Sequence, residues 1–164
     1  MSVAIVPGDA RDLADLRSAY RALHEHQQVI SAVPVIGDFE RAWAGRIATY
    51  RKAFSEGAPI LRIARDEGDA VGYAMAFEHV GTDDVFALAP RYGELYTLTV
   101  VAERRGEGIG TLLCDAVDQA LAERGIDRLV IATMARNADA VRFYERRGLV
   151  PGELLLYRLP AEGA

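Results

Sequence analysis

Residues 94–121 read Glu-Leu-Tyr-Thr-Leu-Thr-Val-Val-Ala-Glu-Arg-Arg-Gly-Glu-Gly-Ile-Gly-Thr-Leu-Leu-Cys-Asp-Ala-Val-Asp-Gln-Ala-Leu, and this stretch decides the fold. Leu95, Tyr96, Leu98, Val100 and Val101 have the β-branched and aromatic character of a strand. Ile109, Leu112, Leu113, Ala116, Val117, Ala120 and Leu121 recur at helical spacing. Between them Gly106, Gly108 and Gly110 stand at every second position. A glycine turn joining a strand directly to a helix brings backbone close to a ligand, because no Cβ stands in the way. The first N–H groups of the helix have no intrahelical partner, and with the positive end of its dipole they attract an anion such as a phosphate or pyrophosphate. Arg105 adds a fixed charge with a planar donor fork. The same residues, taken alone, would also serve an ordinary strand-to-helix turn.

Two other phosphate loops are excluded. The dinucleotide pattern requires a final glycine where Thr111 stands, and the Walker A loop requires Gly-Lys-Ser/Thr, whereas the chain's one lysine is Lys52. Arg105-Gly106-Glu107-Gly108-Ile109-Gly110 instead resembles the Gln/Arg-x-x-Gly-x-Gly/Ala signature of the GNAT superfamily of N-acetyltransferases, and Leu98 to Glu103 resembles the strand leading into it. Downstream, Asn137, Ala140, Phe143-Tyr144-Glu145 and Arg147-Gly148-Leu149 are similar to the family's Asn-x-x-Ala-x-x-Phe-Tyr-Glu-x-x-Gly-Phe segment. Ala102 replaces a frequent proline and Leu149 a frequent phenylalanine. The resemblance is strong from Glu94 to about Tyr157 and holds only in outline before that.

Outward from this stretch, Val3–Val6 reads as a strand ended by Pro7-Gly8. Asp9 is placed to cap a helix to about Gln27, and Asp38 to cap a second one that carries Trp43, Ile47, Tyr50 and Phe54 and stops at Gly57-Ala58-Pro59. Residues 60–65 and 70–79 read as an antiparallel hairpin, and residues 81–93 as a loop. After the central helix, which Gly125 ends, come a strand at 128–133, a helix from Asn137 stopped by Gly148, and a last strand at 154–159. The expectation is one α/β domain over residues 1–164 in the order β-α-α-β-β-β-α-β-α-β. The resemblance implies a mixed, largely antiparallel sheet flanked by helices, with a splayed central strand pair.

The 164 residues suffice for one core, and 51% of them are apolar. No apolar run reaches the length of a membrane span, and the beginning of the chain lacks a secretory pattern, so the expectation is a cytoplasmic protein without a membrane partner. The single Cys114 makes no internal disulfide. A net charge of −5 argues against nucleic-acid binding through a broad basic surface. Residues 1–102 carry 10 basic and 14 acidic side chains while 103–147 carry 8 of each, a slight bias of the first half toward a cationic amine. His24 and His26 have no matching third ligand for a metal site.

The resemblance implies acetyl-CoA as cosubstrate and direct acetyl transfer to a primary amine of a small molecule. Alternatives are a protein N-terminus or lysine as acceptor, or a non-catalytic acyl-CoA-binding regulatory module. It places the pyrophosphate on Arg105, Gly106, Glu107, Gly108, Ile109 and Gly110, and the pantetheine arm along Leu98 and Val100. The Leu98 N–H would polarise the thioester carbonyl, Tyr144 would return a proton to the leaving thiolate, and Asn137 would contact the cofactor. A base is needed because alkyl ammonium groups have pKa values near 10. Glu94 and Tyr96, two apart and so on one side of the strand, are the first candidates, with Glu78 and His79 in reserve. By analogy with the family, a homodimer is also expected.

Overall fold

A computed structural model describes residues 3–81 and 90–159. The sheet is built from β1 (Ala4–Gly8), β2 (Ile60–Asp66), β3 (Asp69–Val80), β4 (Arg91–Val100) and β5 (Leu129–Val130), in the spatial order β1-β2-β3-β4-β5. The first four strands are antiparallel and β5 runs parallel to β4. The helices are α1 (Arg17–Ile30), α2 (Phe39–Glu56), α3 (Ile109–Glu123) and α4 (Ala138–Arg146), with single 3-10 stretches at Ala10–Leu16 and Ala102–Arg104.

The caps explain where the helices begin. Asp9 and Asp12 form a reciprocal capping box at the 3-10 stretch, and the Asp38 side chain accepts from the Arg41 N–H at 2.7 Å. Gly125 (φ 72°) and Gly148 (φ 86°) close α3 and α4 in the left-handed conformation that glycine adopts without strain.

Two cores sandwich the sheet. On one face α3 buries Ile109, Leu113, Cys114, Val117, Ala120 and Leu121 against Ala64, Ala74, Ala76 and Leu95. Leu112, which fits the helical spacing, falls outside this stripe and is 47% exposed. On the other face the first 3-10 stretch, α1 and α2 bury Leu13, Leu16, Tyr20, Ile47 and Tyr50 against Ile63, Tyr73 and Met75. Each large side chain sequestered this way stabilises the fold by about 1.5–3 kcal/mol.

Two irregularities in β4 shape the rest of the molecule. Met75 pairs with Thr97 and Ala76 with Leu95, so Tyr96 is an extra residue, a β-bulge. The bulge puts Tyr96 and Thr97 on the same α1/α2 face. Parallel pairing to β5 is confined to Gly93–Leu129 and Glu94–Val130, and beyond Glu94 the two strands separate. The splayed pair and the mixed sheet expected from the sequence are therefore present.

Three local expectations differ. The strand at 128–133 is regular only over Leu129–Val130, because the diverging β4 offers it no further ladder. Residues 154–159 have no regular structure and lie exposed, having no hydrogen-bonded neighbour strand. Residues 91–93, read as loop, are the start of β4. Residues 82–89 of the expected loop lie outside the described residues.

Candidate active site

The glycine turn is a cradle of backbone donors. Gly106 and Gly108 have φ values of 82° and 81°, and a Cβ at either would meet nothing within 4 Å. Glycine is therefore required there for conformation, not for space. Gly108 is the N-cap of α3, and the first intrahelical bond runs from the Leu112 N–H to the Gly108 carbonyl at 3.1 Å. The N–H groups of Ile109, Gly110 and Thr111 are thus free of intrahelical partners at the positive end of the helix. Glu107 is turned aside, its carboxylate held by Arg104, which also pairs with Asp66 at 2.5 Å.

The free edge of β4 leads into this cradle. The Val101 N–H donates to the Val71 carbonyl at 2.9 Å, toward β3. By strand alternation the N–H and C=O groups of Leu98 and Val100 face the other way, into the gap left by β5. The Arg105 guanidinium does not stand out toward solvent as a bare charge: its Nε donates to the Val100 carbonyl at 3.1 Å and its Nη2 to the Ala22 carbonyl at 3.3 Å. In this arrangement Arg105 pins the turn to β4 and α1, and the donors turned to an anion are those of the backbone.

Tyr144 lies across the gap. With Leu95, Cys114, Val117, Leu129, Ile131 and Arg147 it lines a small cavity where β4 and β5 part. Burial raises its phenol pKa, the neighbouring Cys114 adds to the rise, and Arg147 opposes it. The group is a phenol, not a phenolate, throughout the neutral range. Asn137 caps α4, its Oδ1 accepting from the Ala140 N–H at 3.2 Å, and so orients the helix that carries Tyr144.

The opposite face of β4 gathers the base candidates. Phe77 is registered with Glu94 and His79 with Tyr92, so all four side chains share the α1/α2 face with Tyr96. The Glu94 carboxylate accepts from His79 Nε2 at 2.7 Å, and both side chains are partly open to solvent. Glu78 falls on the other face, where Arg91 holds it at 2.7 Å and Arg124 at 3.7 Å, an arrangement that leaves it as a structural ion pair. Sequence reasoning did not single out Arg46, which enters this face from α2 and donates from Nη1 to Thr97 Oγ1 at 3.0 Å. Neither spacing nor composition marks it, since the bulge that brings Thr97 to its side is a feature of strand register.

Tyr50 belongs to the core, with its hydroxyl bonded to Tyr73 and Thr97, and His24 is satisfied by the Ile36 carbonyl at 2.7 Å. Among the described residues no cluster of three or more His, Cys, Asp or Glu is arranged for a metal, and no helix is long and apolar enough to cross a membrane.

Comparison with known proteins places this geometry. Residues 17–149 match the Acetyltransferase (GNAT) family. Mycothiol acetyltransferase of Amycolatopsis mediterranei is 29% identical over 150 residues, covering 90% of this chain and 45% of that protein. The chain thus spans less than half the length of this relative. A Pyrococcus furiosus structure assigned as an acetyl transferase superposes with a TM-score of 0.74 at 22% identity, covering 97% of this chain and 100% of the other. The aminoglycoside N-acetyltransferase AAC(6′)-Iy, solved with CoA, gives a TM-score of 0.70 at 16% identity, with 98% and 95% covered. At these identities the structural likeness establishes the fold.

Proposed function

The chain belongs to the Acetyltransferase (GNAT) family, and from that premise we propose that it moves the acetyl group of acetyl-CoA directly to a primary amine of a small molecule. The observation that carries this reading is the continuity of two donor arrays. The Leu98 backbone and the Val100 N–H, which face the gap, run on past the Val100 carbonyl held by Arg105 into the free N–H groups of Ile109, Gly110 and Thr111, a length of main chain suited to an amide-bearing arm that ends in a pyrophosphate. Both the conformation of Gly108 and the splay of β4 fit that ligand.

The residues divide the chemistry between the two sides of β4. Glu94, supported by His79, takes the proton of the ammonium group so that the nitrogen lone pair is free. The Leu98 N–H polarises the thioester carbonyl and stabilises the charge that develops on its oxygen. The new C–N bond forms at the acetyl carbon, the C–S bond breaks, Tyr144 hands its proton to the departing thiolate, and the second proton that the nitrogen loses on becoming an amide passes to solvent, from which the phenol is restored. Burial keeps the Tyr144 hydroxyl protonated through the neutral range, so the proton is in place when the thiolate departs.

No covalent enzyme intermediate is required. Cys114 is buried, its thiol is pushed up to about 11 by desolvation, and no histidine hydrogen-bonds to it. The reading is tested by thiol release from acetyl-CoA against a panel of polyamines, aminoglycosides, amino acids and short peptides, with calorimetry of acetyl-CoA binding. Amine-dependent release supports it; acetyl-CoA binding with no release for any amine would favour a non-catalytic module.

A further inference from the structure

Among the described residues Arg46 is a half-buried cation without a paired carboxylate. Its guanidinium carbon lies 4.8 Å from the Tyr96 ring centroid, 5.2 Å from that of Tyr20 and 5.9 Å from that of Tyr50. One nitrogen, Nη1, donates to Thr97 Oγ1. Nε and Nη2 make no hydrogen bond among the described residues, and no carboxylate there pairs with Arg46. No buried side-chain nitrogen or oxygen among the described residues lacks a partner.

Aromatic faces offset part of the cost of withdrawing a guanidinium from water, but an anion held by its planar fork offsets far more. That fork sits on the face of β4 that also carries Tyr96, Phe77 and the Glu94–His79 pair. A cation beside Tyr96 and a carboxylate two residues before Tyr96 on the same face match a short molecule with an amine at one end and an anionic group at the other.

We propose that the acceptor is a small amine that also carries a carboxylate, with that carboxylate bound by Nε and Nη2 of Arg46 against the Tyr96 ring and the amine directed to Glu94. This rests on the acetyl-transfer reading above and names its substrate class. It also refines the expectation from overall charge: the acidic first half favours cations in general, whereas Arg46 selects among them. The acetyl transfer itself is unchanged, with the amine proton going to Glu94 and the thiolate proton coming from Tyr144.

The test compares matched pairs on the wild-type protein: glycine, β-alanine and 4-aminobutyrate against their carboxamides, by thiol release at saturating acetyl-CoA. At least one carboxylate is expected to exceed its amide in kcat/KM by about ten- to a hundredfold, the range of a charge-assisted hydrogen-bonded pair. Arg46→Met should erase that preference, lowering kcat/KM for the carboxylate about ten- to a hundredfold more than for its amide, with acetyl-CoA binding by calorimetry unchanged. Arg46→Lys, which keeps charge without the fork, should recover part of the preference. Amides turned over as well as or better than every carboxylate would overturn the proposal, and that comparison stands even if Arg46→Met does not fold. Equal loss on both series in Arg46→Met would overturn it too, by assigning Arg46 a purely structural role. Thiol release with none of these pairs but with polyamines or aminoglycosides would overturn this substrate class and leave acetyl transfer standing, whereas release with no amine at all would remove the parent reading.

Discussion

His79 Nε2 lies 2.7 Å from Glu94 Oε2, joining the ends of β3 and β4 on the face opposite Tyr144. The contact is diagonal, because the directly registered partner of His79 is Tyr92 and that of Glu94 is Phe77. A carboxylate fixed this way can collect a proton from an amine arriving over Tyr96, and the imidazole keeps it aimed. Glu94→Gln preserves the shape and removes the base. We expect kcat/KM to fall about a hundredfold near neutral pH with acetyl-CoA affinity intact. Without the base, the rate should depend on the amine that is already neutral, rising about tenfold per pH unit toward the amine pKa near 10. A pH-independent loss in Glu94→Gln would remove Glu94 from the base role.

Tyr144→Phe isolates the acid. Loss of the hydroxyl should reduce kcat about a hundredfold and leave the dissociation constant for acetyl-CoA nearly unchanged. The sign of its pH dependence follows from burial, which disfavours the phenolate and so raises the pKa above its ordinary value. The wild-type enzyme should therefore show no loss of activity attributable to this group as pH rises to about 10. An alkaline limb below pH 9 that disappears in Tyr144→Phe would contradict that assignment.

Gly108→Ala and Gly45→Ala make a matched pair in which neither new methyl group meets an atom within 4 Å. Gly108 has a φ of 81°, so alanine there should cost about 1–2 kcal/mol and weaken acetyl-CoA binding as the Ile109–Thr111 donors are re-aimed. Gly45 lies within α2 on an exposed turn, where alanine should stabilise by about 0.5–1 kcal/mol without effect on binding. Thermal unfolding and calorimetry on both variants check the pair.

Cys114 should be a slow thiol. With its pKa pushed to about 11 by burial, it should react with iodoacetamide at pH 8 roughly two orders of magnitude more slowly than a free cysteine, until the protein unfolds. Because the folded pKa is raised, this group's contribution to stability is fully present below about pH 8.5 and is lost as pH rises through about 11. Cys114→Ala should retain acetyl transfer, as a route without an acyl-cysteine requires.

Local chemistry made the central part of this molecule legible. Gly106, Gly108 and the α3 stripe announce a strand, a turn and a helix because each requirement is met within a few residues. Asn137 caps α4, Tyr144 lies on it and Gly148 closes it where the sequence placed them, for the same reason. The face that gathers Glu94, Tyr96 and Arg46 was not legible. The bulge at Tyr96 is a matter of register between β3 and β4, and it alone brings Tyr96 and Thr97 to one side and lets Arg46 reach Thr97 across 51 residues of chain. The sequence ranked Glu94 ahead of Glu78, but it did not show that Glu78 turns to Arg91 and Arg124 while its neighbour His79 meets Glu94, since adjacent positions on β3 point to opposite faces and only the pairing tells which is which. The strands at the far side of the sheet were overestimated because apolar alternation at 128–133 and 154–159 signals propensity, whereas a strand also needs a neighbour.

The most direct test of the account is the stoichiometry of thiol release from acetyl-CoA in the presence of an amine, with mass analysis of the amine. One free thiol per N-acetylated product, with no release when the amine is omitted and none above background in Tyr144→Phe at the same time points, is the predicted result. Thiol release that proceeds equally without the amine, or acetyl-CoA that fails to bind the Arg105–Gly110 turn at all, would contradict it.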